Sequence, residues 1–333
     1  IRRMRSIFRH TYEEITSVEN LLEAWLEFVC GKRGRADVQA YELDLMGNLF
    51  ALHERLAAIT YTHGPYEAFT VSDPKTRNIH KATVTDRVLH RAVYRKLYPF
   101  FDRTFIADSF SCRNGKGTHK ALDRFRTFAR RVSRNHTRTV WVLKCDIRKF
   151  FASIDHVVLL RLLDERIEDK RITWLLGRIV GSFSSTRSGV GLPLGNLTSQ
   201  LFANIYMNSL DQFAKHFLKA TQYIRYADDF VILSHDRPYL LAVLNLTRQF
   251  LRERLHLELH PQKVTITTVA SGVDFLGWVH FPDHRVLRNA TKKRLMRAIS
   301  QHADRATHAS YLGLLRHGNA HTLHQCITRA IGN

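Results

Sequence analysis

The sequence predicts an α+β fold, in which short antiparallel strands lie among a larger number of helices. Apolar residues recur at helical spacing along much of the chain, for example at Leu21, Leu22 and Trp25. Two β-rich runs, 140–146 and 223–233, instead carry acidic residues where a strand ends or a hairpin turns. With 333 residues, 44% of them apolar and 24% charged, the chain is long enough for about two packed units.

Helices are expected in most of the chain, and glycine, serine and proline mark the breaks between them. Within 11–60 the basic loop 31–35 separates two helical stretches. The segment 182–195 is rich in serine and glycine and is predicted to be a loop. Periodicity predicts further helices over 85–98, 118–131, 156–180, 197–217, 240–255 and the tail from 284.

Strands are predicted where β-branched and aromatic residues gather between turn signals. The run 69–71 precedes the turn Asp73-Pro74, and 140–146 is a second run that ends in Asp146. The segment 223–233 is typical of a hairpin with acids at its turn. Short strands are expected over 265–267 and 275–279.

The charge of the chain indicates a polyanionic partner. Lys and Arg number 51 and Asp and Glu 30, so the formal net charge is +21. The charge is clustered, since 124–138 holds six arginines without an acid and the tail 284–333 holds Asp304 as its single acid. Such stretches neutralise phosphates, so nucleic acid is the predicted partner, and non-specific basic character is the alternative.

Other classes of protein fit less well. No apolar run reaches the roughly 18 residues of a membrane span, and the first residues are charged rather than typical of a secretory signal. The cysteines lie far apart, which argues against a zinc ribbon or a disulfide framework and fits a reducing compartment. We therefore expect a cytoplasmic protein without a membrane partner; its cysteines are Cys30, Cys112, Cys145 and Cys326.

The acidic residues in the β-rich runs indicate metal chemistry. Asp228 and Asp229 are adjacent in a hairpin turn between apolar strands, where two like charges are unfavourable without a cation. Hard carboxylate ligands suit magnesium or manganese. If Asp146 at the end of the other run lies beside them, the three could hold two metals for an in-line phosphoryl displacement. The alternative for an Asp-Asp pair alone is a solvated turn.

These residues lie in a pattern that resembles a known family. Tyr226-Ala227-Asp228-Asp229 in this setting resembles the catalytic motif of reverse transcriptases, and other blocks resemble that family's blocks in the right order. The resemblance covers roughly residues 60–320, and its further blocks are 81–88, 109–119, 146–155, 191–200, 256–263 and 275–278.

The resemblance implies a right-hand polymerase fold and an RNA-directed DNA polymerase. Its parts would be an N-terminal helical extension (1–60), fingers (61–139 with part of 157–190), a palm with an antiparallel sheet (140–282) and a helical thumb (283–333). The extension would contact template RNA or an accessory protein. The enzyme would transfer a dNMP from a dNTP to a primer 3′-hydroxyl, with RNA as the template and an RNA–cDNA hybrid as the product.

The resemblance also implies roles for single residues. Asp146, Asp228 and Asp229 would be catalytic and would hold two Mg²⁺ ions, or Mn²⁺, together with the backbone carbonyl of Ile147. Asp155 is expected to be a helix N-cap or a surface acid rather than to act in catalysis. Residues implied to bind the incoming nucleotide are Lys75, Arg77, Arg113, Phe151, Leu194, Gly195, Gln200 and Lys263.

Each nucleotide-binding role has a structural alternative. Phe151 would clash with a 2′-hydroxyl and favour dNTPs, while its neighbour Phe150 would point the other way, into the core. The alternative is that Phe151 itself packs in the core. Lys75, Arg77 and Arg113 suit triphosphate oxygens, or they form a solvated basic surface. Lys263 would lie near the leaving pyrophosphate or help to protonate it, and a simple phosphate-facing or surface lysine is the alternative.

Two further sets would hold primer and template. The block Phe275, Leu276, Gly277 and Trp278 resembles the primer grip, and an ordinary palm strand is the alternative. The tail residues Lys292, Lys293, Arg294 and Arg297 would contact phosphates of the duplex without reading bases.

One block predicts the subfamily. Where intron-type enzymes usually carry Gln-Gly and Ser-Pro, this chain has Leu194-Gly195 and Ser199-Gln200. That pattern resembles reverse transcriptases of diversity-generating retroelements, which are bacterial or phage-encoded, copy RNA with errors at adenines and work with a small basic helical accessory protein. The alternatives are a defence-associated or group II intron-like reverse transcriptase, and a non-catalytic RNA-binding scaffold.

Overall fold

The computed structural model describes residues 6–72, 76–300, 305–321, 323 and 325. The chain forms two compact units, each built from several stretches of sequence. The first unit comprises residues 1–106, 147–213 and 248–258, and the second comprises 107–146, 214–247 and 259–333. Lys75, one of the predicted nucleotide-binding residues, lies outside the described residues.

The helices and strands are numbered along the chain. The helices are α1 (Tyr12–Thr16), α2 (Val18–Val29), α3 (Ala36–Glu42), α4 (Leu45–Ala57), α5 (Val84–Asp102), α6 (Thr118–Val132), α7 (Phe150–Ser153), α8 (His156–Asp164), α9 (Lys170–Gly181), α10 (Leu197–Gln212), α11 (Arg237–Leu255), α12 (Asn289–Ser300) and α13 (Arg305–Leu315). The strands are β1 (Glu67–Ser72), β2 (Thr76–Lys81), β3 (Trp141–Asp146), β4 (Tyr223–Tyr226), β5 (Asp229–Ser234), β6 (Thr265–Thr268), β7 (Val273–Phe275), β8 (Trp278–His280) and β9 (Arg285–Leu287).

The first unit consists of helices and one hairpin, β1–β2. Helices α2 and α5 bury apolar faces that include Leu21, Trp25 and Val88. Polar side chains begin several of its helices, as Thr83 does for α5 and Asp155 for α8. Asp155 accepts bonds from the amides of Val157 and Val158, so the prediction that it caps a helix is confirmed.

The second unit contains two antiparallel sheets. The four-stranded sheet has the order β4-β5-β3-β6, and the three-stranded sheet has the order β7-β8-β9. Val142 and Val231 of the larger sheet pack in one core with Phe125 and Phe128 of α6 and with Trp278 of the smaller sheet. Because side chains alternate along a strand, the face that carries Val142 also carries Lys144 and Asp146.

The structure differs from the sequence prediction at the chain segment 275–279. This segment is not one strand, because Phe275 pairs with Trp278 across a two-residue turn. Leu276 and Gly277 both have positive φ, 51° and 85°, as a type I′ hairpin turn requires. Glycine is typical of such a turn, but leucine rarely adopts a positive φ, so only Gly277 indicated the turn in the sequence.

Two predicted helices also end or begin differently. The long helix predicted over 197–217 ends as an α-helix at Gln212 and continues as a π-helical turn over 213–217. The tail is not helical throughout, since strand β9 precedes α12 and pairs with β8. In the described part of the chain, no helix is long and apolar enough to cross a membrane.

Candidate active site

Three carboxylates lie at one end of the four-stranded sheet, and we call this group the carboxylate end. Asp146, the last residue of β3, is the direct partner of Asp229, the first residue of β5. Tyr226 pairs with Asp229, so Ala227 and Asp228 are the two central residues of the β4–β5 turn. Ala227 has a positive φ of 55°. Antiparallel pairing therefore brings together acids that are 82 and 83 residues apart in the sequence.

Two lysines approach these acids. Lys263 Nζ lies 2.8 Å from Asp146 Oδ1, and 41% of its side chain is exposed. Lys144 Nζ lies 4.0 Å from Asp229 Oδ2 and donates a 2.5 Å hydrogen bond to the backbone carbonyl of Asp274. Lys144 is thus held mainly by a backbone oxygen, and it offsets the charge of Asp229 only from a distance.

Asp229 is poorly compensated. Its Oδ1 is buried and has no hydrogen-bond partner among the described residues. Burial raises the pKa of Asp229 to about 7, Lys144 lowers it, and the neighbouring Asp146, Asp228 and Asp274 raise it further. An unpaired carboxylate in this setting gains from a proton or a metal cation, since both neutralise its charge.

A buried arginine holds the turn that carries Asp228. The side chain of Arg225 is fully buried, and its Nη1 donates to the Ala227 carbonyl at 3.0 Å. Its Nη2 donates to Ser109 Oγ, also at 3.0 Å. The backbone of Arg225 bonds in addition to Asp108 and Phe110. The guanidinium fork therefore ties the β4–β5 turn to the segment 108–110.

The donor set of the carboxylate end fits a hard divalent cation. Mg²⁺ is usually bound by one or two carboxylates together with substrate phosphates rather than by a protein cage. Among the described residues, no three His, Cys, Asp or Glu side chains form such a cage by themselves. Asp229 Oδ1, which is buried and has no partner within the described ranges, supplies an open ligand position beside Asp146.

The predicted nucleotide-binding residues of the second unit take two different positions. Lys263 contacts a predicted catalytic acid, Asp146, directly. Arg113 lies in the loop after Phe110, and its Nη1 donates to the Ser109 carbonyl at 2.9 Å. Because Arg113 and Arg225 both donate to Ser109, the loop that contains Arg113 and the β4–β5 turn share one set of hydrogen bonds.

The predicted nucleotide-binding residues of the first unit centre on the loop before α10. The carbonyl of Leu194 accepts a bond from the His80 amide, and Asn196 Nδ2 donates to the His80 carbonyl. Gly195 has a φ of +102°, and a Cβ atom there would lie 2.8 Å from Ile79 Cγ2. Glycine is therefore required where this loop crosses strand β2.

Gly195 and Gln200 line a cavity of about 310 Å³, which we call the cation-lined cavity. Burial and the nearby Arg91, Arg35 and Arg87 lower the pKa of Lys32. Asp37 pairs with two of the cations and leaves a surplus of positive charge. The cationic side chains of this cavity are Lys32, Arg35, Lys81, Arg87 and Arg91.

Phe151 and Arg77 also lie in the first unit. Phe151 is half-buried on α7, whereas its neighbour Phe150 is 3% exposed and packs in the core. Arg77 is exposed on β2 and pairs in register with Val71 of β1. Ile147, the predicted carbonyl ligand, is buried directly after Asp146.

The predicted primer-binding residues divide into buried and exposed ones. Phe275 and Trp278 are buried in the core of the second unit, so only Leu276 and Gly277 at the turn remain partly accessible. On α12, Lys292, Lys293 and Arg297 are exposed and Arg294 is half-buried. Any contact of the 275–278 block with a primer would therefore be made by the turn residues Leu276 and Gly277.

Sequence reasoning missed three residues of this site, namely Lys144, Arg225 and Asp274. Lys144 could have been found, because a residue two positions before Asp146 shares its face of the strand. Arg225 gave only the weak signal of a charged residue inside an apolar strand. Asp274 gave no signal, because its place beside the carboxylate end depends on how β7 packs.

Sequence comparison finds several relatives, and a group II intron-encoded protein is among them. The chain is 28% identical to Protein YkfC of Escherichia coli (strain K12) over 269 residues, which are 69% of this chain and 68% of that protein. It is 25% identical to the group II intron-encoded protein LtrA of Lactococcus lactis over 292 residues. The match takes in 66% of this chain but only 46% of LtrA.

Solved structures with a similar fold include telomerases. A telomerase from Candida tropicalis, truncated from its C-terminal domain, superposes with a TM-score of 0.52 at 13% identity, over 68% of this chain and 55% of that one. A telomerase from Candida albicans with a fragment of telomeric RNA gives 0.51 at 12% identity, over 74% and 51%. These likenesses confirm the predicted fold class of helices with antiparallel sheets.

The residues that match a family model are 72–280, and the model describes reverse transcriptase (RNA-dependent DNA polymerase). The match contains the whole four-stranded sheet and all three acids of the carboxylate end. Since it takes in more than half of the chain, the predicted class of enzyme is confirmed, and the chain belongs to the reverse transcriptase family of RNA-dependent DNA polymerases.

Proposed function

We propose that this chain copies a template RNA into cDNA, with Asp146, Asp228 and Asp229 as its catalytic residues. The observation that carries the proposal is the β3–β5 register, which sets Asp146 opposite Asp229 and leaves Asp228 in the adjoining turn. Family membership supplies the RNA template and the dNTP substrates. The net charge of +21 suits a protein that holds an RNA–cDNA hybrid.

Two Mg²⁺ ions, or Mn²⁺, would be held by the three aspartates and the Ile147 carbonyl. When bound, such ions neutralise phosphate charge and orient the attacking and leaving oxygens. The chain's own residues would position these groups. Asp229 would provide the open oxygen, Arg225 would fix the turn of Asp228, and Lys263 would leave Asp146 for the departing pyrophosphate.

The remaining predicted site residues would bind the incoming nucleotide and the template. Arg77, Arg113 and Lys75 would contact the triphosphate, and Phe151 would exclude the 2′-hydroxyl of ribonucleotides. The loop of Leu194 and Gly195, with Gln200, would face the base pair. The α2–α3 part of the N-terminal extension contributes cations to the same cavity as Gly195, which favours a contact with template phosphates.

Hybrid phosphates would be bound by the thumb region. Lys292, Lys293, Arg294 and Arg297 occupy one stretch of α12, and three of them are exposed. The turn Leu276–Gly277 would touch the primer. Phosphate contacts of this kind hold the duplex without regard to sequence.

The test of the proposed function is primer extension on an RNA template with Mg²⁺ and dNTPs. The wild-type chain is expected to extend the primer, and Asp228→Asn is expected to lose the activity while folding normally. Asp236→Asn, which changes an acid just beyond β5, is the matched control and should extend like wild type. Equal extension by wild type and Asp228→Asn would overturn the assignment, and no extension by either would favour a non-catalytic RNA-binding scaffold.

Within the family, we infer a diversity-generating retroelement enzyme that makes errors at template adenines and works with a small basic helical accessory protein. The support is the block Leu194-Gly195 and Ser199-Gln200, since an apolar Leu194 offers no polar group that would penalise a mismatch. cDNA made on an adenine-containing RNA should carry errors mainly at adenines. Leu194→Gln should lower this error frequency by about threefold, and an unchanged frequency would contradict the role of Leu194.

A group II intron-like reverse transcriptase is the second candidate. The observation that favours it is the 25% identity with LtrA over 292 residues. The same cDNA sequencing separates the two, because errors spread evenly over all four template bases would favour the intron-like enzyme. A paired template repeat and variable repeat beside the gene would favour the retroelement.

A further inference from the structure

A second cavity lies wholly within the second unit, and we call it the His280 cavity. It has a volume of about 300 Å³ and is bounded by α6, by the connection between β8 and β9, and by the segment that follows α13. The connection lies at the opposite end of β8 from the Leu276–Gly277 turn. The cavity is therefore separate from the primer-contacting turn, and nothing in the proposed polymerase reaction uses it.

The charge of this cavity favours an anion. Arg126, Arg285 and Arg316 line it, and the first and third of these are exposed. Asp283 is the acid among its lining residues, and it pairs with His284 at 2.7 Å. Because three arginines face this one acid, the lining presents a net positive charge to a ligand.

Arg285 offers an unused donor in this cavity. Its Nε donates to the His317 carbonyl, and its Nη2 lies 3.1 Å from Asp123 Oδ1. Its Nη1 is buried and has no hydrogen-bond partner among the described residues. A buried guanidinium N–H without a partner is costly, so a ligand oxygen at this position would be stabilising.

His280 offers an unused acceptor beside it. Its ring is 3% exposed and packs 4.3 Å from the Phe125 ring. Burial and the nearby Arg285 lower the pKa of His280 to about 3, although a hydrogen bond to the Phe275 backbone opposes the shift. That bond holds the ring proton on one nitrogen, and Nε2, which has no partner in the described part of the chain, carries a lone pair.

We propose that the His280 cavity binds one ribose-phosphate unit of single-stranded RNA. A phosphate oxygen would accept from Arg285 Nη1, with Arg126 and Arg316 beside it, and a ribose 2′-hydroxyl would donate to His280 Nε2. A DNA backbone has no hydroxyl at that position, and an ionised carboxylate of a peptide has no donor, so RNA satisfies both orphaned atoms. The volume, at the lower end of the range for ligand pockets (about 300–1,000 Å³), suits one nucleotide unit.

The binding test uses the full chain with an excess of unlabelled template–primer duplex, which occupies the proposed polymerase site. A fluorescein-labelled RNA hexamer, the matching DNA and the 2′-O-methyl RNA are titrated by anisotropy at about 0.1 M salt. We expect the RNA to bind about fivefold more tightly than the other two, because one hydrogen bond is at stake. His280→Phe should remove this preference and keep the residual affinity.

The contribution of the cavity's positive charge to binding is tested by replacing exposed arginines, because such replacements leave the core intact. Arg126→Gln with Arg316→Gln should weaken binding of all three probes by about tenfold or more, because phosphate contacts are lost. Arg130→Gln with Arg134→Gln is the matched control, since these arginines are also exposed but do not line the cavity. It should change binding by less than about twofold.

Several results would overturn the proposal. If both pairs of arginine substitutions weakened RNA binding equally, the binding would be due to a non-specific basic surface. If the His280→Phe variant still prefers RNA over DNA, the proposed contact between the ribose 2′-hydroxyl and His280 would be wrong. Displacement of all three probes by inorganic phosphate at millimolar concentration would indicate a phosphate site, and tighter binding of an acidic hexapeptide would indicate a protein partner. Since no measurement requires nucleotide incorporation, failure of the proposed polymerase function would leave this result separate.

Discussion

Two aspartates of the second unit, Asp108 and Asp229, have opposite surroundings. The carboxylate of Asp108 is 8% exposed and accepts from Arg124 Nε at 2.7 Å and from Lys215 Nζ at 3.0 Å. The carboxylate of Asp229 is 22% exposed and lies 4.0 Å from Lys144, and one of its oxygens is buried without a hydrogen-bond partner among the residues that the structure describes. Burial is common to both, so the difference lies in how completely each negative charge is compensated.

This difference distinguishes a structural acid from a ligand for a cation. Asp108 joins α6, through Arg124, to the π-helical turn that contains Lys215, and its charge is already satisfied by protein groups. Burial raises the pKa of Asp229, and its neighbours of the same sign, Asp146, Asp228 and Asp274, raise it further. A carboxylate that the fold leaves unsatisfied gains most from a bound metal, which is why the carboxylate end fits catalysis.

The largest expected effect that sharpens this comparison is the loss of polymerase activity when an acid of the carboxylate end is replaced. Asp146→Asn should reduce the rate of primer extension by about a thousandfold or more, because several kcal/mol of charge stabilisation would be lost. The free energy of unfolding of this variant should change by less than about 1 kcal/mol, since the side chain of its partner Lys263 is 41% exposed. Thermal unfolding of both proteins checks this, and a variant that keeps a tenth of the wild-type rate would contradict the assignment.

The next largest effect is on stability at Asp108. Asp108→Asn should lower the free energy of unfolding by about 2–3 kcal/mol, because two cations lose an ionised partner in a mostly buried position. Arg124 is 37% exposed and recovers some hydration, which keeps the loss below the upper range for buried pairs. Denaturant unfolding measures the change. If Asp108→Asn left the free energy of unfolding unchanged, the charge of Asp108 would not be compensated by Arg124 and Lys215 as described.

At Asp229 the same change of aspartate to asparagine should raise the free energy of unfolding rather than lower it. The folded pKa of about 7 lies above the unfolded value of 3.8, so the folded state binds more protons between these values and stability falls as pH rises from about 4 to 7. Without metal, Asp229→Asn should therefore gain about 2 kcal/mol relative to wild type between pH 5 and pH 8. Urea unfolding at both pH values tests this, and an equal difference at the two would contradict it.

The smallest of these effects concerns Arg225, which joins the two regions through the segment 108–110. Arg225→Lys keeps the charge but cannot bridge Ala227 and Ser109, so kcat should fall by about tenfold. If Arg225 positions Asp228, the Mg²⁺ concentration for half-maximal rate should rise as well. Ser109→Ala removes one contact of the fork and serves as the milder control. Lower stability with an unchanged Mg²⁺ dependence would indicate a structural role alone.

The local patterns predicted most of the elements and the family. Periodicity located α2, α5 and α6, and the β-rich runs located β3 and the β4–β5 hairpin with its acids. The turn at Leu276–Gly277 was missed, because leucine at positive φ is not a turn signal. The roles of the nucleotide- and primer-binding residues stay predictions.

The sequence by itself determined the acids, their places in strands and turns, and the excess of positive charge, because these depend on residue type and short-range spacing. Tertiary structure decided which of the acids and bases remain uncompensated. Through the packing of distant segments, Arg225 became a buried residue that holds a turn, and His280 became a buried acceptor. The same packing left one oxygen of Asp229 without a hydrogen-bond partner in the described part of the chain. Burial and hydrogen bonding are properties of neighbours in space, and no local pattern specifies which neighbours a side chain will have.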